Sequence, residues 1–579
     1  DSAGNNNSAA TQFNWTYDTS ITFNNSSGDN QWSTASNWSS GSIPISSSNI
    51  RIPTGLTVEV GAPGSGTATS AYTNNLIIDS DGGITIAKNS NLTLSGDFTN
   101  NGTVTLNSDS TNYSSIIISG SVSSGSNITY NRYVNSVGTD EWDLIGSPVN
   151  EQSINSFATT NAAPLATGGG SGSDQYAIGI YDNETDNWTN YTTSTIGTAG
   201  DFDIGKGYQM ATDIGATLAF TGTPVSTAQT QAIQDYSSTS GRIWNLIANP
   251  YPSYIYANNN ANSTYNFLKA NYEVDVTDNL HNSYIALYGY NADGSGYTVY
   301  NQTSAATYIA PGQAFMVASD NSSSGTSISF TPEMRTVQGG DDFISGRIMN
   351  PTSSEFLLKL YEDEILIDNT RFYFDNDLTL GLDPGYDAGH FNQDASLMSR
   401  LVEEDEGVGF VINAMGSDAL GGVSIPLEVN QPSNVPFRIS LEDSSIAPDV
   451  EVQLEDRLLG TLTLLNDEDF TLTAEEDLIG IGRFYLHLGN VTLGEDSFAN
   501  SLASIYKGIN DDYITIEGLV NIQKARIKLY NLIGQEIIHK VLSNNQTNYR
   551  ISTQGIPQGV YVIKLQFENS KITKKLIIN

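Results

Sequence analysis

Leu76-Ile77-Ile78, Ile84-Thr85-Ile86, Leu92-Thr93-Leu94, Val104-Thr105-Leu106 and Ile116-Ile117-Ile118 decide the fold of the N-terminal part of this chain. Their first residues lie 8, 8, 12 and 12 positions apart. Turn formers such as Asp81-Gly82-Gly83 and Asn100-Asn101-Gly102 separate them. A three-residue apolar run is too short to bury a face alone, so successive rungs have to stack. The spacing predicts a small right-handed β-helix-like stack over residues 31–130. Residues 1–30 are polar and Asn-rich and read as an extended lead-in, with or without one strand.

The segment Trp32-Ser33-Thr34-Ala35-Ser36-Asn37-Trp38, followed by Pro44 and Ile50-Arg51-Ile52-Pro53, resembles the start of such stacks in bacterial surface proteins. Downstream, an internal repeat stands out. Trp142-Asp143-Leu144-Ile145 returns as Trp244-Asn245-Leu246-Ile247, and Ile178-Gly179-Ile180-Tyr181 returns as Ile285-Ala286-Leu287-Tyr288. Ile204-Gly205-Lys206-Gly207 returns as Ile309-Ala310-Pro311-Gly312, and Leu218-Ala219-Phe220-Thr221 as Ile328-Ser329-Phe330-Thr331. The offsets are 102, 107, 105 and 110, in order. Two copies of one β-rich module are expected, at 131–235 and 236–340. Residues 341–495 carry acidic runs and alternating strands such as Phe437-Arg438-Ile439-Ser440-Leu441, which predicts a β-sandwich; with Gly385-Tyr386-Asp387-Ala388-Gly389 the stretch resembles a jelly-roll-like module of bacterial surface proteins.

The 579-residue chain holds 24 Lys+Arg and 63 Asp+Glu, a formal charge of -39. Such a surface repels nucleic-acid phosphates and anionic lipid, so no nucleic-acid partner is expected. With no cysteine, disulfides and thiolate metal sites are excluded. No apolar run is long enough for a transmembrane helix. Asp1 in place of an initiator methionine is what a processed N-terminus would look like.

Residues 501–579 reverse the charge, with 10 Lys+Arg against 5 Asp+Glu, a formal +5. The first 500 residues therefore hold 24 − 10 = 14 basic and 63 − 5 = 58 acidic groups, a formal −44. Strands Tyr513-Ile514-Thr515-Ile516, Ala525 to Tyr530, Glu536 to His539 and Gly559 to Leu565 predict a small antiparallel sandwich. Leu529-Tyr530-Asn531-Leu532-Ile533-Gly534-Gln535, Gly559-Val560-Tyr561 and the terminal Lys575-Leu576 resemble the type A sorting domain of type IX secretion. Where family members usually open on Tyr-Pro-Asn-Pro, this chain has Tyr506-Lys507-Gly508-Ile509. The resemblance assigns the sorting motif to Tyr530, Gly534, Gly559, Tyr561 and Lys575. It implies a cargo of a Bacteroidetes-type bacterium, with 501–579 read by the type IX translocon and its outer-membrane shuttle protein. It also implies a secreted or cell-surface location on the outer face of the outer membrane.

Signals for chemistry are sparse. Gly168-Gly169-Gly170-Ser171-Gly172 lacks the strand–helix context of a nucleophile elbow, and the four histidines lie far apart in sequence. The acids cluster in polar loops, a poor setting for the raised pKa of a glycosidase acid. Calcium is the cofactor considered: Asp182, Glu184 and Asp186 offer oxygens in one loop, without EF-hand spacing. Trp142 and Trp244 precede apolar pairs at equivalent repeat positions and suit core anchors. Trp188 and Tyr297, in turn-rich segments, are the candidates for carbohydrate contact. The expectation is an all-β, multidomain, non-enzymatic exported surface protein, an adhesin or structural component that meets a surface glycan or host surface. The alternatives are a polysaccharide-binding or polysaccharide-degrading protein and a filament-forming subunit.

Overall fold

The structure, a computed structural model, describes residues 20–61, 68–137, 142–168, 174–237, 242–273, 277–291, 296–320, 326–342, 354–489, 503–507, 512–519, 524–543, 548–567 and 570–578. Most of the lead-in and the loop at 169–172 lie outside them. The protein is all-β, with a β-solenoid-like stack at its N-terminal end.

The apolar triplets form the stack. Ile50–Ile52 lies parallel to Leu76–Ile78, which lies parallel to Phe98–Asn100. Thr57–Val60, Gly83–Ile86 and Thr103–Asn107 build a second parallel face. Ser70–Thr73, Asn91–Leu94 and Ser115–Ile118 build a third. Alternate residues of each rung point inward, so Ile52, Ile78, Ile86, Leu94 and Phe98 are fully buried. The stack begins earlier than 31, because Ile21–Thr22 already pairs in parallel with Ile50–Ile52. Trp32 and Trp38 meet edge to face at 4.8 Å beneath it.

Stacked turns bring glycines together. A Cβ on Gly102 would stand 2.1 Å from the Gly82 carbonyl oxygen, and one on Gly120 would stand 2.4 Å from the Gly96 backbone. Backbone cannot swing aside as a side-chain tip can. Gly102→Ala should therefore cost about 1–3 kcal/mol in a urea melt, and an unchanged midpoint would contradict the stacked-turn account.

Ile128–Val134 leaves the stack parallel to Thr103–Asn107 and accepts Ala216–Pro224 antiparallel on its other edge. The stack and the first repeat module thus share one sheet and one apolar core, from Phe23 to Phe220. The sequence boundary at 130/131 falls inside that strand.

The repeat is visible as topology. Asp143–Ile145 pairs with Tyr208–Met210, which pairs with Gln175–Asp182, which pairs with Asn187–Thr192. Trp244–Ala248, Ala314–Ala318, Leu287–Tyr290 and Tyr297–Tyr300 follow the same order. Each copy adds a short helix, Ile154–Thr160 or Phe267–Asn271. Each helix ends on an Asn that clamps the last strand. Asn161 accepts from the Ala219 N–H (2.8 Å) and Asn271 from the Ser329 N–H (2.7 Å).

Register refines the sequence alignment. Tyr181 faces Trp188 as Tyr290 faces Tyr297, so Tyr181 corresponds to Tyr290 and not to Tyr288. The shift is two residues, which preserves the face and leaves the apolar pattern unable to distinguish the two alignments.

The copies meet reciprocally. The Gly146 N–H donates to the Gly312 carbonyl at 2.8 Å, and the Ala248 N–H donates to the Gly205 carbonyl at 2.8 Å. Ile145 bridges Gln313 as Lys206 bridges Ile247. Such reciprocity is that of an isologous interface built inside one chain. A Cβ on Gly146 would lie 2.3 Å from the Ala248 Cβ, so glycine is what permits the approach.

Residues 354–489 close around their own core, from Phe356 to Leu488. Their strands join in one continuous eleven-stranded sheet. The parallel pairing of Ile365–Asp375 with Phe410–Gly416 lies in the middle of that strand order.

Candidate functional site

The C-terminal domain is where the sequence carries its most specific motif. Lys524–Asn531, Glu536–Ser543, Gly559–Phe567 and Ser570–Ile578 form a four-stranded antiparallel sheet. Ser504–Tyr506, Tyr513–Glu517 and Tyr549–Ser552 form the facing sheet. Ile514, Ile516, Ile527, Leu529, Ile563 and Leu565 are the centre of the core between them.

The motif residues lie at the turn and on the strands of this sheet. Tyr530 is the last residue but one of its strand, opposite Glu536 and Val562. Asn531 opens the tight turn: its carbonyl accepts from the Gly534 N–H (2.9 Å), and its side chain accepts from the Gln535 N–H (2.9 Å). Gly534 sits at φ 83°, a region that costs a side chain strain. Gly559 starts the next strand, opposite Ile578. The Tyr561 ring is buried and its hydroxyl donates to the Pro557 carbonyl at 2.7 Å. Lys575 is exposed and faces Val562. The turn, its strand and the final strand therefore belong to one sheet.

This domain is docked on the acidic body. Arg400 is the buried centre of the joint: it pairs with Asp405 at 3.0 Å, Glu428 at 3.1 Å and, across the joint, Glu517 at 3.4 Å. Its guanidinium lies 5.4 Å from the Tyr506 ring centre. The Ser504 hydroxyl donates to the Asp405 carboxylate, and Lys574 donates to the Asp405 carbonyl at 2.5 Å. Gly407 leaves room for the Tyr506 ring, which an added Cβ would strike at 2.2 Å. Burial alone would lower the Arg400 pKa, but the carboxylates around it raise it, so the guanidinium stays charged.

A family described as "Domain of unknown function (DUF8693)" matches residues 22–487. The chain belongs to this family. The match spans the stack, both repeat copies and the eleven-stranded sheet. A second family, described as "Secretion system C-terminal sorting domain", matches residues 510–579. The DUF8693 chain is thus a type IX secretion cargo, secreted or held at the cell surface and handled by the type IX machinery. No curated protein matches it. A solved tetra-tandem repeat in the extending region of a large adhesion protein is 10% identical, covering 52% of this chain and 93% of that one. The TM-score of that pair is 0.12. Among the described residues no helix is long and apolar enough to cross a membrane.

The other candidates lie elsewhere. Trp188 and Tyr297 lie on strands at equivalent repeat positions, both half-buried. Tyr297 stacks on Phe391 at 4.1 Å, and Trp188 packs against Tyr181 at 5.1 Å. Both border one apolar cluster with Trp244, Tyr288 and Ile412, where the two repeat copies meet the eleven-stranded sheet. Trp244 is buried there, whereas Trp142 is half-buried against Ala166, Ala177 and Ala211. The acids of the 182–186 loop are engaged separately. Asp182 accepts from the Glu184 N–H (3.0 Å) and the Thr185 hydroxyl (2.8 Å). Asp186 accepts from the Tyr181 hydroxyl and pairs with Arg242, each at 2.9 Å. Among the described residues no group of three or more His or acidic side chains is arranged to hold a metal ion.

Two hubs gave no sequence signal. Arg400 and Glu517 are 117 positions apart, and Arg132 and Asp342 are 210 apart. Pairing over such distances leaves no local pattern.

Proposed function

We propose that this cargo is a non-enzymatic surface protein, an adhesin or structural component standing on the outer face of the outer membrane. The carrying observation is that its modules are locked edge to edge. The stack shares a sheet with the first copy, the copies pair reciprocally, and the apolar cluster around Trp244 joins both to the eleven-stranded sheet. A scaffold of this kind presents long strand faces held in fixed relation. Asp387 has the buried, upward-shifted carboxyl that a glycosidase acid would need. It is instead fastened inside the fold by the Asp383 N–H (2.6 Å) and the Ala414 N–H (2.7 Å).

Cells displaying the chain should attach to a glycan-coated or host-cell surface several-fold better than cells in which its gene is deleted. Purified full-length protein should release no reducing ends from polysaccharides. Equal attachment by both strains, or hydrolysis that disappears with Asp387→Asn, would overturn the reading.

A further inference from the structure

The outer face of the four-stranded sheet in the sorting domain is basic and, among the described residues, uncovered. Arg526, Lys571 and Lys575 are exposed there, and Lys528 and Lys564 are half-exposed. Pairing sets them side by side: Arg526 faces Gln566, which faces Lys571, and Val562 faces Lys575. Lys528 lies directly opposite Lys564, a like-charge pair that destabilises a sheet. Glu536 relieves Lys528 at 2.8 Å, and Lys564 lies 5.2 Å from the Tyr530 ring centre. Among the described residues no acid pairs with Arg526, Lys571 or Lys575.

The described residues of the body leave this face free. The body's contacts with the domain include Ser504, Tyr506, Glu517, Gly518 and Lys574, and Lys574 points to the opposite side of its strand from Lys571, Thr573 and Lys575. Exposed Ile577 and half-buried Val560 and Val562 lie on the same face beside the cations. Glu536–Ser543 is an edge strand, with one side of its backbone unpaired in the sheet. A mixed apolar and cationic sheet face beside an open edge suits a protein surface. An anionic lipid layer fits less well, because the formal −44 of the first 500 residues repels it.

We propose that this face, centred on Arg526, Lys564, Lys571 and Lys575, is the surface that the type IX machinery grips, through an acidic patch with apolar residues among its carboxylates. The proposal rests on the sorting-domain assignment and adds which face is read and by what chemistry. It also accounts for the charge reversal: an acidic partner is attracted to the tail and repelled by the body, so the chain is gripped by one end.

The test uses the full chain in a type IX-competent bacterium. A variant with Arg526→Glu, Lys564→Glu, Lys571→Glu and Lys575→Glu should show the exported-to-retained ratio fall about 10-fold, with the four glutamine replacements falling less. Thermal melting of each purified full-length variant reports folding. If the glutamate variant fails to fold, the glutamine variant decides, and wild-type export by it overturns the proposal. A chain lacking 501–579 runs in parallel. If truncation traps the protein while the folded charge variants export normally, the face is wrong and the sorting assignment stands. If truncation leaves export intact, both fall. Binding of wild-type protein to phosphatidylglycerol-containing vesicles, lost on charge reversal, would make the face a lipid reader and also overturn the proposal.

Discussion

Arg132→Ala should destabilise the body by about 3–5 kcal/mol near neutral pH, because it strips the cation from a buried cluster of acids. Arg132 is fully buried. It pairs with Asp342 at 2.5 Å, donates to the Pro311 carbonyl at 2.9 Å and the Tyr133 carbonyl at 2.8 Å, and lies 4.2 Å from the Tyr113 ring centre. One guanidinium thus joins the last rung of the stack to the end of the second repeat copy. Burial, and then the charge of Asp342, pushes the Asp143 and Asp341 carboxyls up to about 7. A carboxyl raised in the folded state favours folding fully below its unfolded value of 3.8, and that contribution is lost as pH rises through about 7. Wild-type stability should therefore decline across that window. Removing Arg132 leaves the acids uncompensated and more dependent on their protons, so the variant's deficit should be smaller at about pH 5 than at about pH 8. Urea melts at the two pH values check this. A deficit below about 1 kcal/mol, equal at both, would contradict the role assigned to Arg132.

How much was legible in the sequence depended on whether the information was local. The stack could be read because each rung carries its own apolar triplet and its own turn. The repeat could be read because Trp142 and Trp244 head matching strands. Its register could not, since a two-residue slip keeps every side chain on the same face. The turn at Asn531–Gln535 was legible because a left-handed glycine follows a capping Asn within four positions. Trp188 and Tyr297 read as surface candidates because turn formers and polar neighbours surround them in sequence. The rings that cover them, Tyr181 and Phe391, come from a partner strand and from another module. The acids of 182–186 looked like a possible cation loop, but Arg242, 56 positions from Asp186 (242 − 186), takes up one of them.

The second large effect concerns export. Residues 501–579 form a domain with its own core, held to the body by Arg400, Ser504, Tyr506 and Lys574. The apolar core of residues 354–489 is complete without it. Truncation should therefore leave a folded body, with Arg400 still paired to Asp405 and Glu428, and remove only the part that the secretion machinery handles.

The most direct measurement is quantitative mass spectrometry of this protein in cells and in medium, for the full chain and for the chain ending at residue 500. The account predicts that the full chain reaches the surface or medium, while the truncated chain accumulates inside the envelope as folded protein. Export of the truncated chain at the full-length level would contradict it.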